Sequence, residues 1–317
     1  MRGRIHTNSH GISFHIGGRM RPTTRHLMGV RRYLAVGTEL PVAPDSFDYT
    51  GPAASALAMI LANGPDPTAP ASIASSGLGD CTSCARSHII DAVTASAGTP
   101  VVMTTDQTVA FYSASTGYVL GNSSTDDGGD EQTVLTCWQN QGASLDGHAI
   151  VGFLNVDPTN AALVKSACWL FENLYFGCEL SDSWLNISGS GFTWDVGSSA
   201  DPNDGHAFPG LGANAQGITI DTWGFLGTFT WAAIAERCTE SAGGNCYVVL
   251  TPEIVARAQG KAPNGLDWVG LIADFDGLGG TVPIPTPPPS PAPVTPGPFP
   301  DGPPVSVPTH VPLEDNR

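Results

Sequence analysis

The residues around Cys81 can make a thiol reactive. Gly79 and Asp80 supply a turn and an N-cap, and a mostly apolar stripe follows from Cys84 at helical spacing. The pattern places Cys81 in the first turn of a helix of about four turns, with one buried face, beside amides that lack a partner within the helix. Those amides and the positive end of the helix dipole stabilise a thiolate, the nucleophilic form of cysteine.

Cys84 is the alternative nucleophile, because Cys81-x-x-Cys84 spacing also occurs in redox pairs and in half zinc sites. No second Cys-x-x-Cys or His-x-x-His pair lies at a plausible distance, so we expect neither a metal nor an organic cofactor. Cys84 begins the apolar stripe and meets His88 one turn on, which predicts a buried, neutral thiol. His88 lies about 10 Å along the helix from Cys81, too far to take its proton.

The base must therefore come from elsewhere, and two Gly-His-Ala segments offer candidates. His206 lies in one of them, and a run ending in Trp223-Gly224 follows it, so two short strands joined by a turn are predicted. His148 lies in the other segment and lacks a following Trp-Gly pair. We favour His206 as the base and keep His148 as the alternative.

The order of these motifs resembles that of the papain-like cysteine peptidases, with an early helix cysteine, a late Gly-His-Ala and a polar residue two before Trp-Gly. In that family an Asn or Asp at that last place orients the catalytic imidazole. The resemblance implies a catalytic triad of Cys81, His206 and Asp221. It implies a two-lobed α+β fold, with a helical N-terminal lobe that carries the nucleophile helix and a strand-rich C-terminal lobe. Asn214 is the alternative orienter, although turn chemistry accounts for it.

The likeness is closer still to a group of largely uncharacterised bacterial and phage proteins with a Gly-Asp-Cys helix. This chain shares their histidine seven residues after the cysteine (His88), their middle Gly-His (His148) and their late Gly-His-Ala (His206). Papain-like peptidases place a Gln six residues before the nucleophile to form part of the oxyanion hole. Ser75 stands there in this chain, and its hydroxyl is a weak candidate for the same donor role.

The elements that must position these residues are predicted from periodicity and caps. Helices are expected over residues 104–118, 131–140, 158–170 and 231–237 and from residue 251, and strands over 149–156, 174–180 and 247–250. The acidic loop 126–130 lacks EF-hand spacing, so we expect it to be solvated. Pro209 predicts that the strand after His206 is an edge strand or carries a bulge.

Charge excludes two classes of partner. The net charge is −16, and seven of the thirteen Lys and Arg residues lie in residues 1–32, which contain no Asp or Glu. The rest of the chain carries six positive and twenty-nine negative charges. Such a body repels nucleic acid and anionic membrane, so we expect neither as a partner.

The chain shows no signal peptide and no apolar run long enough for a transmembrane helix. Its seven cysteines are odd in number and widely spread, which favours a reducing compartment, although Cys238 and Cys246 could pair if oxidised. We expect a cytoplasmic or virion-associated protein.

Composition predicts three segments. Residues 1–29 are a basic arm without periodicity, expected to be disordered; residues 30–280 are the papain-like domain; and residues 281–317 are a tail of which residues 283–312 hold fourteen prolines. Such a tail cannot bury a core, and it serves as a spacer or as a docking segment for a protein partner.

Two functions follow from these patterns. The first is a cysteine hydrolase that cleaves a peptide or isopeptide bond in a peptide or protein substrate. The second is a catalytically weak or inactive papain-like module of a virion or an assembly, favoured by the missing Gln and by the proline-rich tail.

Deleting residues 283–317 tests the tail. Because a proline-rich spacer buries almost nothing, the melting temperature should change by no more than about 1 °C. Calorimetry of the full and shortened chains measures the change. A fall of many degrees would show that the tail packs on the domain.

Overall fold

Helices dominate the first half of the described chain and strands the second, which confirms the predicted α+β class. The structure, a computed structural model, describes residues 4–10, 13–16, 40, 42–59, 61, 77–197 and 199–258. All of them fall within the first of the two compact units into which the chain divides. Within these ranges, no helix has the length and apolar character needed to cross a membrane.

The described chain contains the following α-helices: α1 (Ala54–Leu57), α2 (Cys81–Ser96), α3 (Thr105–Thr116), α4 (Glu131–Leu145), α5 (Ala161–Phe171), α6 (Trp231–Arg237) and α7 (Pro252–Ala258). Most begin close to where caps predicted them. The start of α5 is an exception, because the backbone N–H of Leu163 donates to Asn160 Oδ1 at 3.1 Å. Asp157, the predicted cap, instead accepts from the backbone N–H of Thr159 in the preceding turn.

An eight-stranded, mostly antiparallel sheet is built mainly by the second half of the described chain, with β3 added from the first half. Its strands are β3 (Phe47–Asp48), β4 (Gly152–Asn155), β5 (Leu174–Ser181), β6 (Phe192–Trp194), β7 (Ala200–Ala213), β8 (Gly217–Thr222), β9 (Phe225–Thr230) and β10 (Asn245–Leu250). The order is β4-β10-β5-β7-β8-β9-β6, with β3 paired to the end of β7. Helix α2 packs against β7, so the nucleophile helix lies beside the strand that carries His206.

Pro209 lies in an interior strand, which corrects the predicted edge position. It faces Tyr175 in β5, and β7 also pairs with β8 on its other side. The predicted bulge agrees better with the structure, because the β7–β8 register shifts between Gly210 and Gly212, directly after the proline. Such an irregularity accommodates a residue that has no backbone N–H to donate to the sheet.

Part of the N-terminal arm forms structure where the sequence predicted disorder. Strands β1 (Arg4–Thr7) and β2 (Ser13–Ile16) pair as an antiparallel hairpin. Between them, Asn8 is buried and its Nδ2 donates to the carbonyl of Leu185 at 3.1 Å. The expected domain boundaries stay predictions, since residues 17–39 and 259–317, including the proline-rich tail, lie outside the described residues.

A cluster of aromatic rings joins the core to the site. Trp194 is fully buried and stacks on Trp184 at 5.1 Å between ring centroids, and it meets Phe208 and Phe229 edge to face. Its ring also lies 6.0 Å from that of Trp223. Packing in the core therefore reaches the Trp-Gly motif directly.

The substitution Trp194→Ala should be strongly destabilising. Truncating a buried tryptophan leaves a cavity, which costs about 3–5 kcal/mol of unfolding free energy. Denaturant unfolding measures the loss, and Val196→Ala, at a nearby exposed residue, serves as the control. Equal stability of the two variants would contradict the packing described here.

Candidate active site

The nucleophile helix begins where the sequence predicted. Cys81 is the first residue of α2, and Asp80 occupies the N-cap position, where its carbonyl accepts from the backbone N–H groups of Ser83 and Cys84 at 2.9 and 3.0 Å. The side chain of Asp80 makes no capping hydrogen bond. Cys81 is therefore the N1 residue, at the positive end of the helix dipole.

Asp80 does not act as the surface anion that an N-cap would suggest. It is fully buried, and this burial, helped by the charge of Asp126, raises the pKa of its carboxyl well above its ordinary value. The carboxyl also lies against the thiol of Cys84, whose pKa is raised well above its ordinary value by burial and then by Asp80. Cys84 is thus held as a neutral thiol, as the sequence predicted.

Two tyrosines and an aspartate fix the turn that presents Cys81. Asp126 accepts hydrogen bonds from the backbone N–H of Gly79 at 3.1 Å and from the Tyr112 hydroxyl at 2.7 Å. The Tyr175 hydroxyl on β5 donates to the carbonyl of Thr82 at 2.8 Å. The acidic loop is therefore a structural support for the nucleophile rather than the solvated loop that was predicted.

One pocket brings the main candidates together. Its lining residues include Cys81, Cys84, His88, His206, Asp221 and Thr222. Cys81 comes from the start of α2, His206 from β7, and the last two from the end of β8. A thiol, an imidazole and a carboxylate in one buried pocket can carry out acyl transfer through a covalent thioester.

The imidazole of His206 is held by a hydrogen bond and by a stacked ring. Its Nε2 lies 2.7 Å from the Thr222 hydroxyl. Its ring stacks on Trp223 with centroids 4.5 Å apart and planes 19° apart. The hydrogen bond sets which nitrogen faces β8, and the stack sets the plane of the ring.

The Trp-Gly motif is a tight hairpin turn. Thr222 and Phe225 are the last paired residues of β8 and β9, so only Trp223 and Gly224 lie between the strands. Both have positive φ, 53° and 77°, which matches the type I′ turn that suits the twist of a hairpin. Left-handed backbone is strained for a bulky residue, so the tryptophan depends on its ring contacts to stay there.

Asp221 lies in the pocket but pairs with a different histidine from the one expected. Its Oδ2 is 3.4 Å from Nδ1 of His88, which also lies 3.7 Å from Asp91 Oδ2. Burial works against a charged His88, yet Asp221 and Asp91 raise its pKa overall. Burial also raises the pKa of Asp221 to about 6, and the nearby His88 opposes this rise.

His148 and Asn214 are not among the residues that line this pocket. His148 is half-buried, and its carbonyl accepts from Arg86 Nη2 and from Trp138 Nε1, a structural role between helices. Asn214 closes the β7–β8 turn, where its Oδ1 accepts from the backbone N–H of Gln216 at 2.8 Å. Ser75, the oxyanion candidate, lies outside the described residues.

Sequence reasoning missed two polar residues that the site uses. Thr222 is the residue directly before Trp-Gly, and only its pairing geometry reveals its contact with His206. Asp126 was visible as part of an acidic loop, but nothing in its spacing pointed to Gly79, which lies 47 residues away. Among the described residues, no group of three His, Cys, Asp or Glu side chains could hold a metal ion.

Comparison with known proteins gives structural similarities only. No family model matches the chain, and no curated protein matches it significantly. Xylellain, a cysteine protease from Xylella fastidiosa, is similar at a TM-score of 0.48 and 11% identity over 70% of this chain and 96% of that chain. The Amb a 11 cysteine protease of ragweed pollen, in its proform, gives 0.49 and 14% over 72% and 73%. Procathepsin L2 from the larval midgut of Tenebrio molitor gives 0.49 and 13% over 74% and 78%.

The substitution Asp80→Asn should stabilise the protein most at neutral pH. A raised pKa in the folded state means that folding favours the protonated carboxyl, so the wild type loses stability as pH rises above the ordinary value of 3.8. The amide needs no proton and escapes this loss. Thermal melts at pH 4 and pH 7.5 should show a gain in melting temperature that grows with pH.

The matched control is Asp45→Asn, because Asp45 is exposed. Its effect on the melting temperature should be small at both pH values. A gain for Asp80→Asn that is equal at pH 4 and pH 7.5 would contradict a protonated, buried carboxyl.

Proposed function

We propose that this protein is a papain-like cysteine hydrolase that cleaves a peptide or isopeptide bond through Cys81, His206 and Asp221. The observation that carries the proposal is the meeting of Cys81 and His206 in one pocket, although they lie 125 residues apart on a helix and a strand. The order of helix cysteine, strand histidine and Trp-Gly turn supports the papain-like assignment.

In the proposed reaction, the Cys81 sulfur attacks the carbonyl carbon and His206 takes the thiol proton. The imidazolium then returns that proton to the leaving amine as the tetrahedral intermediate collapses to a thioester. His206 next removes a proton from water, which hydrolyses the thioester and frees the thiol. An amine in place of water would give acyl transfer with the same residues.

The oxyanion is stabilised by donors at the start of α2. The backbone N–H of Cys81 is the first of these, because it lies at the N1 position of the helix. The hydroxyl of Ser75 is the proposed second donor. Asp221 contributes its negative charge to the pocket, where it favours the protonated form of the His206 ring over the neutral form.

The second candidate is a papain-like module without efficient catalysis, in a virion or another assembly. One observation favours it: Cys81 is only 4% exposed and His206 only 3% exposed. A substrate carbonyl must reach the sulfur, so an enzyme with this site has to open it during turnover. Virion association, membership of the Gly-Asp-Cys group and a partner for the proline-rich tail remain predictions.

Thiol labelling and peptide cleavage separate the two candidates. With iodoacetamide at pH 7, a catalytic thiolate should give rapid alkylation of Cys81, located by mass spectrometry, whereas a structural thiol with ordinary pKa of about 8.5 should react slowly. Cys84→Ala should keep the rapid labelling and Cys81→Ala should lose it. Faster labelling of Cys84 than of Cys81 in the intact protein would refute the assignment.

Peptide cleavage provides the second measurement. Incubation with a peptide mixture should yield fragments that disappear in both Cys81→Ala and His206→Ala. Cleavage that persists in His206→Ala would remove this histidine from the mechanism. Absence of both cleavage and rapid labelling in the wild type would favour the inactive module.

A further inference from the structure

We infer that Thr222 is the positioning residue of His206, and that Asp221 acts on His88 instead of orienting the catalytic imidazole. This inference rests on the proposed function, since it assigns the second contact of the proposed base. The observation behind it is the 2.7 Å separation between His206 Nε2 and the Thr222 hydroxyl, with both side chains buried. The nearest ion-pair partner recorded for Asp221 is His88, whose Nδ1 lies 3.4 Å from Asp221 Oδ2.

Asp221 and Thr222 are adjacent at the end of β8, and their side chains lie beside different histidines. The Asp221 carboxylate faces α2, where it lies 3.4 Å from His88. The Thr222 hydroxyl faces His206. The backbone of both residues is held by pairing with β9, Asp221 with Leu226 and Thr222 with Phe225.

The hydroxyl suits a base that changes its charge during the reaction. With Nε2 bonded to Thr222, Nδ1 is the nitrogen through which His206 exchanges a proton with the Cys81 thiol. Nε2 then carries hydrogen in both the neutral and the charged ring, and the threonine oxygen accepts it in both. The hydrogen bond becomes charge-assisted when the ring is protonated, so it stabilises the imidazolium that accompanies a thiolate.

The turn makes this contact rigid. Thr222 is the last residue before Trp223, whose ring stacks on the face of His206 while its backbone closes the hairpin. The hydroxyl and the indole therefore hold the same imidazole from two directions, one in the ring plane and one above it. Neither contact uses the Asp221 carboxylate.

The test compares Thr222→Val with Thr222→Ser. Valine keeps the branched shape and removes the acceptor, whereas serine keeps the acceptor. We expect Thr222→Val to lower the rate of Cys81 alkylation by iodoacetamide at pH 7 by about tenfold to a hundredfold, because the imidazolium loses a charged hydrogen bond. The midpoint of the rate-against-pH curve should also rise toward an ordinary thiol value of about 8.5.

Thr222→Ser should behave more like the wild type than like the valine variant. Thr219→Val is the matched control, because Thr219 lies on the same strand outside the pocket lining, and its curve should overlay that of the wild type. Asp221→Asn should leave Cys81 more reactive than Thr222→Val does. A Thr222→Val curve that overlays the wild type, with loss of reactivity in Asp221→Asn, would overturn the inference.

A second measurement tests the same contact without Thr222→Val, in case that variant does not fold. The Cys81→Ser variant is labelled with ¹⁵N-histidine, and the nitrogen chemical shifts of the His206 ring are measured by NMR. They should show that the neutral ring is the Nε2–H tautomer. An Nδ1–H tautomer would overturn the inference. Failure of the proposed function looks different, because the wild-type Cys81 would then be unreactive at pH 7 while the Nε2–H tautomer is still observed.

Discussion

The burial of helix α2 along almost its whole length is the constraint on which the rest of the structure depends. Residues 81–94 of this helix are all buried, although many of them are polar or charged. Buried polar groups without partners cost a few kcal/mol each, so the surrounding elements must supply partners. Arg86 pairs with Asp146 at 2.8 Å, and Asp91 accepts from the backbone N–H of Met103 at 2.8 Å. The polar side chains of α2 therefore require polar partners on the elements that pack around the helix.

His88 is where this constraint meets the site. It lies on the same face of α2 as Cys81, about two turns further along. The residue of the sheet beside it is Asp221, at the end of the strand that also carries Thr222. The Asp221 carboxylate therefore lies beside a buried histidine of the helix, with Oδ2 3.4 Å from His88 Nδ1. Asp221 and Thr222, adjacent residues of β8, thus contact different histidines, and the sequence motif around Trp-Gly could not reveal this.

Local patterns predicted the elements, and long-range pairing decided the site. The start of α2 at Cys81 and the capped helix α6 were predictable because caps and periodicity act within a few residues. The apolar stripe suggested a helix with one buried face, yet polar residues on its other faces are buried too. Similarly, Pro209 suggested an edge strand, and only the pairing of β7 with β5 and β8 shows that it lies in the interior.

The strained turn at Trp223 links the stability of the core to the geometry of the candidate site. A tryptophan with φ of 53° stays in place because its ring is packed between His206 and the buried Trp194. The stack of Trp223 on His206 stabilises the left-handed backbone of the tryptophan and also fixes the plane of the imidazole. Looser packing of the aromatic core would therefore weaken both. Glycine or asparagine at this place would ease the backbone and leave the histidine ring without its stack. The same turn requires glycine at its second position, where φ is 77°. The Trp-Gly pair is therefore explained by backbone geometry and ring packing together, independently of the chemistry of the site.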